Sequence, residues 1–289
     1  MIRLVPGDTV DFIFGQSMSP ERMNEIRRLW GLDRPALVQY ADWLGGLLHG
    51  DFGHSILSGR PIVTDIAMRL PVTIELSAAA ALWSVALGLS LGVLAARYAY
   101  TKVDGVITTV TLAGLATPNF WLATLLILFF AVHWQLFPAV GFVPFGQDPG
   151  ANLRSIVLPS LALGTTMAAA VMRMTRSGML EVLSHDYIRT ARAKGIPERS
   201  VLSKHAPRNA LIPVLTLIGT ESGKLLGGSL IIEQIFAIPG IGQYAVSSIF
   251  TRDYPVLQAT VLVVASTYVI VNTLVDMSYS MVDPRVRYA

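Results

Sequence analysis

The sequence predicts an all-α polytopic membrane protein, and three observations carry that expectation. The 289 residues are 53% hydrophobic and only 14% charged, with a mean hydropathy of +0.55. Such a balance leaves too little charge to cover a soluble surface. Five stretches are long and apolar enough to cross a bilayer, at about 73–96, 106–132, 156–174, 211–232 and 256–281. The basic residues gather between particular stretches instead of spreading along the chain.

The same composition excludes several function classes. A formal charge of +3 is small for a nucleic-acid binder, and the absence of Cys removes disulfides, thiolate metal sites and a Cys nucleophile. His49, His54, His133, His185 and His205 show no metal-ligand spacing, so no metal is expected. No P-loop pattern occurs, so the chain does not hold a nucleotide itself, and no cofactor is expected in it. The Ser and Thr residues of the apolar stretches lack the nearby His or Asp pattern of an intramembrane enzyme. The first ten residues, MIRLVPGDTV, contain no apolar run of signal-peptide length.

Orientation follows from charge. Arg97 and Lys102 lie between the first two stretches. The basic loop carries Arg173, Arg176, Arg189, Arg192, Lys194, Arg199, Lys204 and Arg208, and the tail carries Arg285 and Arg287. The connections at about 135–155 and 234–255 hold only Arg154 and Arg252. Positive residues favour the cytoplasm, so the basic loop and the tail are placed there and the first span runs inward. Residues 1–72 are then external despite Arg3, Arg22, Arg27, Arg28, Arg34, Arg60 and Arg69, because the charge rule fails for long loops. Aromatic residues (Trp30, Tyr40, Trp43, Phe52) mark this segment as ordered. Its pattern predicts an amphipathic helix over 21–29 and turns at Gly31, Gly50, Gly53, Gly59 and Pro61.

Within the spans, Gly88 and Gly92 form a G-x-x-x-G, and Gly219, Gly223 and Gly227 repeat that spacing over two turns. In lipid such residues let helices approach closely, so they predict packing of span on span or against a second subunit. Pro118 and Asn119 interrupt the second span, as a kink or as part of a solute path. Glu221 and Lys224 are three residues apart and are read as the ionisable residues inside a span, either a structural pair or contacts on a substrate path. Glu233 is placed at the outer end of the same span, solvated at the interface.

The basic loop carries the sharpest pattern, DYIRTARAKGIPERSVLSKHAPRNALIPVL over 186–215. It reads as two short helices with a break. Asp186 is a candidate N-cap, Gly195 sits where a helix end takes a left-handed residue, and Pro197 opens the next helix. Ala191 and Gly195 lie one turn apart and would leave one face bare. A solvated basic loop that only enforces topology is the competing reading.

The run Ala191–Arg192–Ala193, Gly195, His205, Pro207 and Asn209 resembles the signature loop of importer-type ABC permeases, close to the oligopeptide/dipeptide/nickel branch. RLPVTIEL (69–76), TPNFW (117–121), FAIPGIG (236–242), RDYPVLQ (252–258) and DPRVRY (283–288) are similar to the B-type subunits of peptide importers, in collinear order over nearly the whole chain. Thr190 stands where the general pattern has an acidic residue. The resemblance implies a type I permease fold with an ABC transmembrane domain over 73–281, a coupling loop over 175–209 and a cytoplasmic tail over 282–289. It implies docking of Ala191, Ala193, Gly195, Pro197, His205, Pro207 and Asn209 on a cytoplasmic ATPase. The implied partners are a second, homologous permease, two ATP-binding subunits that hold ATP and Mg, an external solute-binding protein and membrane lipid, all at a bacterial cytoplasmic membrane. The implied cargo is a di- or oligopeptide. Nickel or another small solute on the same fold, and an ATP-independent secondary transporter, are the alternatives. The family has six spans, the first leading into a PGDP-like turn; here Val5–Thr9 matches that turn, so a truncated or mis-assigned start is expected.

Cysteine placed at Lys194 should resist an impermeant thiol reagent in intact cells, whereas cysteine at Asp148 should react. The chain has no other Cys to confuse the reading. Labelling from outside at 194 would invert the topology.

Overall fold

The computed structural model describes residues 9–15 and 18–282. The PGDP-like turn at 5–9 and the DPRVRY tail thus lie largely or wholly outside the described residues. Among the described residues the chain is helical, without a strand. In order, the helices are α1 (Thr9–Phe14), α2 (Pro20–Leu29), α3 (Ala36–Leu48), α4 (Ile62–Arg97), α5 (Lys102–Ala116) and α6 (Asn119–Leu126), which continues as a wider π turn over Ile127–His133. Then come α7 (Pro149–Leu183), α8 (Asp186–Ala193), α9 (Glu198–Ser200), a second π turn (Val201–His205), α10 (Pro207–Ala210), α11 (Ile212–Ile235), α12 (Ile241–Phe250) and α13 (Tyr254–Val282).

Three helices, α4, α7 and the segment Tyr254–Val275 of α13, are long and apolar enough to span, and a fourth span results if α5 and α6 count as one. The five stretches expected from sequence are all helical, but two differ from simple spans. The stretch at 106–132 is broken, with α5 and α6 meeting at 106°. Pro118 explains it: its ring cannot continue α5, and its carbonyl instead starts α6 by accepting from the Trp121 and Leu122 amides. Helix α11 is diluted by Thr216, Thr220, Glu221, Ser222 and Lys224, and it falls outside that set. Helix α4 has 36 residues. At about 1.5 Å per residue it is far longer than a hydrocarbon core of about 30 Å. Its first turns, before Pro71, therefore extend past the apolar stretch that begins near Thr73.

Helix α7 is the centre of the bundle. Two thirds of its most apolar window is buried, against 28% for α4 and for α13. Helices α4, α5, α6, α10 and α11 all pack on it. The tightest seam is with α4 and is made by small residues one turn apart: Ala80, Ser84, Gly88 and Gly92. A Cβ on Gly88 would lie 2.7 Å from the Val171 side chain and 2.8 Å from the Ala168 carbonyl oxygen. One on Gly92 would lie 2.8 Å from the Met172 carbonyl oxygen. From the other side, a Cβ on Gly164 would lie 2.7 Å from the Ala80 carbonyl oxygen. The Ser84 hydroxyl lies 2.7 Å from both the Ala80 and the Gly164 carbonyls, and donates across the seam where the backbones meet. The G-x-x-x-G expected from sequence is therefore the middle of a longer row, and it packs within the chain. The second row is less uniform. A Cβ on Gly223 would strike Asn272 and Tyr268 of α13, whereas one on Gly227 would meet nothing within 4 Å.

In the N-terminal segment, α2 lies over the predicted amphipathic run. Gly31, Gly50, Gly53 and Gly59 take φ of +66°, +80°, +82° and +66°.

Gly88→Ala and Gly92→Ala should each lower stability by about 1–3 kcal/mol, because the added methyl meets a backbone oxygen that cannot turn away. Gly105→Ala, which meets nothing within 4 Å, should be neutral or mildly stabilising. Thermal unfolding of the detergent-solubilised chain reads the difference. Equal melting of all three variants would remove the seam's importance.

Candidate functional site

The basic loop forms a compact unit. Helix α8 starts at Asp186, with His185 in the capping position, so Asp186 lies in the first turn and is not the cap. Gly195 follows the helix end with φ +79°, and its amide donates to the Arg192 carbonyl. Pro197 precedes α9, and Pro207 opens α10. Ile188 is buried in one cluster with Ala96 of α4, Met179 and Val182 of α7, and Val201, Leu202, Ala206 and Ala210 of the following turns, and Ala191, one turn on, is buried as well. The bare face expected at Ala191 thus points into the chain's own core. What the loop exposes is Ala193, Lys194, Gly195, Pro197, His205 and Asn209, with Pro207 half-buried.

Two polar ties hold this unit. Arg192 grips Glu198 with both arms, Nε to Oε2 at 3.1 Å and an Nη2 to Oε1 at 2.7 Å, bridging the Gly195 break. That hydrogen bond holds the Glu198 carboxyl below the usual carboxylate range. The group is therefore ionised at neutral pH, and the tie is lost only as acid protonates it through its lowered pKa. Both partners are about half exposed, so the tie orients the turn more than it stabilises the fold. Asn209 Nδ2 donates to the Tyr187 hydroxyl at 3.1 Å and joins α10 to α8.

Just before the loop, two bundle helices are joined by an ion pair the sequence did not disclose. Arg176, counted from sequence as a topology-setting charge, forms a bidentate pair with Asp104, both bonds 2.7 Å. Asp104 also accepts from the Tyr100 amide at 2.9 Å. This ties the start of α5 to the last turns of α7.

The candidate path residues form two pairs. Asn119 Oδ1 accepts from Thr166 of α7 at 2.9 Å, beside exposed Pro118. Lys224 Nζ donates to Glu221 Oε1 at 2.6 Å. The Lys224 side chain is 65% exposed and that of Glu221 17%, so the pair exists but is not sealed in the core.

Glu233 departs most from expectation. It is not solvated at an interface; it is fully buried. Its Oε1 accepts from Thr73 Oγ1 of α4 at 2.7 Å, and its Oε2 accepts from the Gln243 amide at the start of α12 at 2.9 Å. Thr73 Oγ1 in turn accepts from the Ile241 amide at 2.8 Å. A carboxylate facing unpaired helix N-terminal amides is the favourable polarity. Gly240 and Gly242 make room, since a Cβ on either would collide with that carboxylate. The FAIPGIG motif is therefore the turn that wraps Glu233. Glu75 is a further ionisable residue on α4 that sequence reading passed over; its Oε1 accepts from buried Asn152 Nδ2 at 2.6 Å. The RDYPVLQ motif has a similar role, because buried Asp253 accepts from Ser55 Oγ at 2.6 Å and binds the N-terminal segment to the α12–α13 corner.

Comparison with known proteins agrees with this architecture. Residues 88–288 match the family described as binding-protein-dependent transport system inner membrane component, and residues 1–77 match its N-terminal region. A putative peptide transport system permease protein of Brucella abortus is 46% identical over 100% of this chain and 92% of its own length. The dipeptide transport system permease protein of Escherichia coli is 38% identical over 99% of this chain and 92% of its own length. Among solved structures, an inward-facing MetNI methionine ABC transporter chain is similar, with TM-score 0.63 and 17% identity over 75% of this chain and 96% of that one. An amino acid ABC transporter chain follows at TM-score 0.53 and 18% identity, over 78% and 95%. A multi-pass helical chain with this bundle, matched over more than half its length by that family, belongs to the inner membrane components of binding-protein-dependent transport systems, as an ABC importer permease of the peptide group.

Proposed function

We propose that this chain is one half of a peptide-conducting channel, moving di- or oligopeptides inward by alternating access while partner subunits hydrolyse ATP. The observation that carries the peptide assignment is the near full-length identity to permeases named for peptide and dipeptide transport. The partners are a second permease, two cytoplasmic ATPases that hold ATP and Mg, and an external solute-binding protein. The chain itself does no chemistry.

Coupling runs through the exposed rim of the basic loop, formed by Ala193, Lys194, Gly195 and Pro197, with His205 and Asn209 beside it. Ile188 seats α8 on the bundle from beneath, and buried Ala191 lies on the inner side of the same helix. Arg192–Glu198 keeps the turn in one shape, which a lever needs. Glu221 and Lys224 supply an acid and a base side by side, suited to the two ends of a zwitterionic peptide, and Pro118–Asn119 shape the neighbouring bend.

Gly195→Leu should leave insertion and membrane abundance intact, since a side chain there meets open space. The positive φ costs about 1 kcal/mol in a non-Gly residue, and the leucine blocks the docking rim. Uptake of labelled dipeptide and co-purification of the ATPase should both fall at least tenfold. Undiminished uptake would remove the docking role.

Glu221→Gln and Lys224→Met should keep wild-type abundance, because their pair is partly exposed and costs little to break. Dipeptide uptake should change in both, and blocking the peptide's amino terminus should alter the response of the Glu221 variant more than that of the Lys224 variant. Uptake unchanged in both would take the pair off the path.

A further inference from the structure

Two clefts open along α4, and they differ in charge. The one against α5 and α7, between Trp83, Val110 and Thr165, has no charged residue in its lining. The other, of about 470 Å³, lies over the last two turns of α4, between that helix and the basic loop. Its walls are aliphatic, with Leu89, Val93, Leu202 and Leu211 among them, and Arg97 and Arg199 line it as well. Both arginines are exposed. Among the described residues neither has a carboxylate within ion-pair distance. Glu198 is the nearest compensating charge, and Arg192 already holds both of its oxygens.

The position of this crevice says what fills it. Helix α4 carries no charged residue from Leu76 to Ala96 and ends on Arg97, with Tyr98 and Tyr100 just beyond. The Arg97 guanidinium stacks over the Tyr98 ring at 5.2 Å, and Tyr100 is 91% exposed. Aromatic rings and arginines in that order mark headgroup depth. On the orientation set by the charge asymmetry, that depth is the cytoplasmic leaflet, where anionic lipids gather. The crevice thus offers two cations at headgroup level above an aliphatic slot reaching into the acyl region.

We propose that this crevice binds an anionic phospholipid, its phosphate between Arg97 and Arg199 and an acyl chain along Leu89, Val93 and Leu211. A lipid held there touches both α4 and the loop proposed to dock the ATPase. It would therefore link the charge of the membrane to the posture of the loop. A free peptide carboxylate would satisfy the arginines but leave the aliphatic slot unfilled, so the lipid is the occupant the whole lining fits. The inference rests on the orientation of the chain and not on its cargo.

The test is native mass spectrometry of the full chain purified in detergent with the subunits that accompany it. It would be titrated with phosphatidylglycerol or phosphatidylcholine of the same acyl length. Wild type should retain phosphatidylglycerol preferentially, by about fivefold for each guanidinium engaged. Arg97→Gln with Arg199→Gln should bring that preference to parity, and the double lysine variant should keep most of it. Should the glutamine variant fail to assemble, Ser90→Trp decides, because Ser90 is exposed on the crevice wall. The indole fills the slot without touching the arginines, and it should abolish retention. Equal retention of the two lipids by wild type, retention unaffected by either variant, or displacement of phosphatidylglycerol by millimolar dipeptide would each overturn the proposal.

Discussion

The contact between the backbones of α4 and α7 decides where most of the remaining structure can sit. Between lipid-embedded helices there is no hydrophobic gain from leaving water, so association depends on close van der Waals approach and on polar groups satisfied across the contact. The row Ala80, Ser84, Gly88 and Gly92 supplies the first, and the Ser84 hydroxyl between two carbonyls supplies the second. With α7 fixed against α4, its other faces become the surface on which α5, α6, α10 and α11 are laid. The Arg176–Asp104 pair and the Thr166–Asn119 bond then pin the start of α5 and the break before α6 to the same helix.

At the opposite end the governing constraint is electrostatic. Helix α12 begins on Gly240 with no side-chain cap from its own residues. Its first amides would be orphaned in an apolar setting, and Glu233 would be an unpaired buried carboxylate; each cost is several kcal/mol in isolation. Set together, with Thr73 completing the ring, the two needs cancel. The arrangement couples α4, α11 and α12 through one group. Relative movement of these helices at this end of the bundle must therefore break or carry that group along.

The legibility of these features from sequence follows their physical range. Helical class, the turn glycines, the break at Pro118 and the left-handed Gly195 were readable because each depends on one residue's own backbone preference or on local apolarity. The G-x-x-x-G was readable as a packing device, but its partner was not, because Val171 and Thr175 carry no complementary signature. Glu233, Asp104 and Glu75 were misread or passed over for one reason. Their partners Thr73, Arg176 and Asn152 lie 160, 72 and 77 residues away, and sequence spacing cannot show which distant donor meets a buried acid. A signal was present in retrospect for Glu233. An acid six residues before a Pro-Gly-Ile-Gly turn can fold back onto the helix that the turn starts.

The inward turn of Ala191 bears on how a short loop can act as a lever. Helix α8 has eight residues, too few to be stable in water by itself. Presenting both its small and its apolar residues outward would leave it without a seat. By burying Ile188 against α4, α7 and the turns that follow, the loop packs onto the bundle, and the Arg192–Glu198 tie holds the exposed corner at Gly195 and Pro197. A push on that corner must then move α7, since the cluster beneath contains Met179 and Val182 of that helix. Because α7 is sealed to α4 by backbone contact, the cluster beneath the loop and the Thr73–Glu233 clamp are joined through α4. The same small residues that permit tight assembly in lipid thus link the two ends of the bundle through one seam.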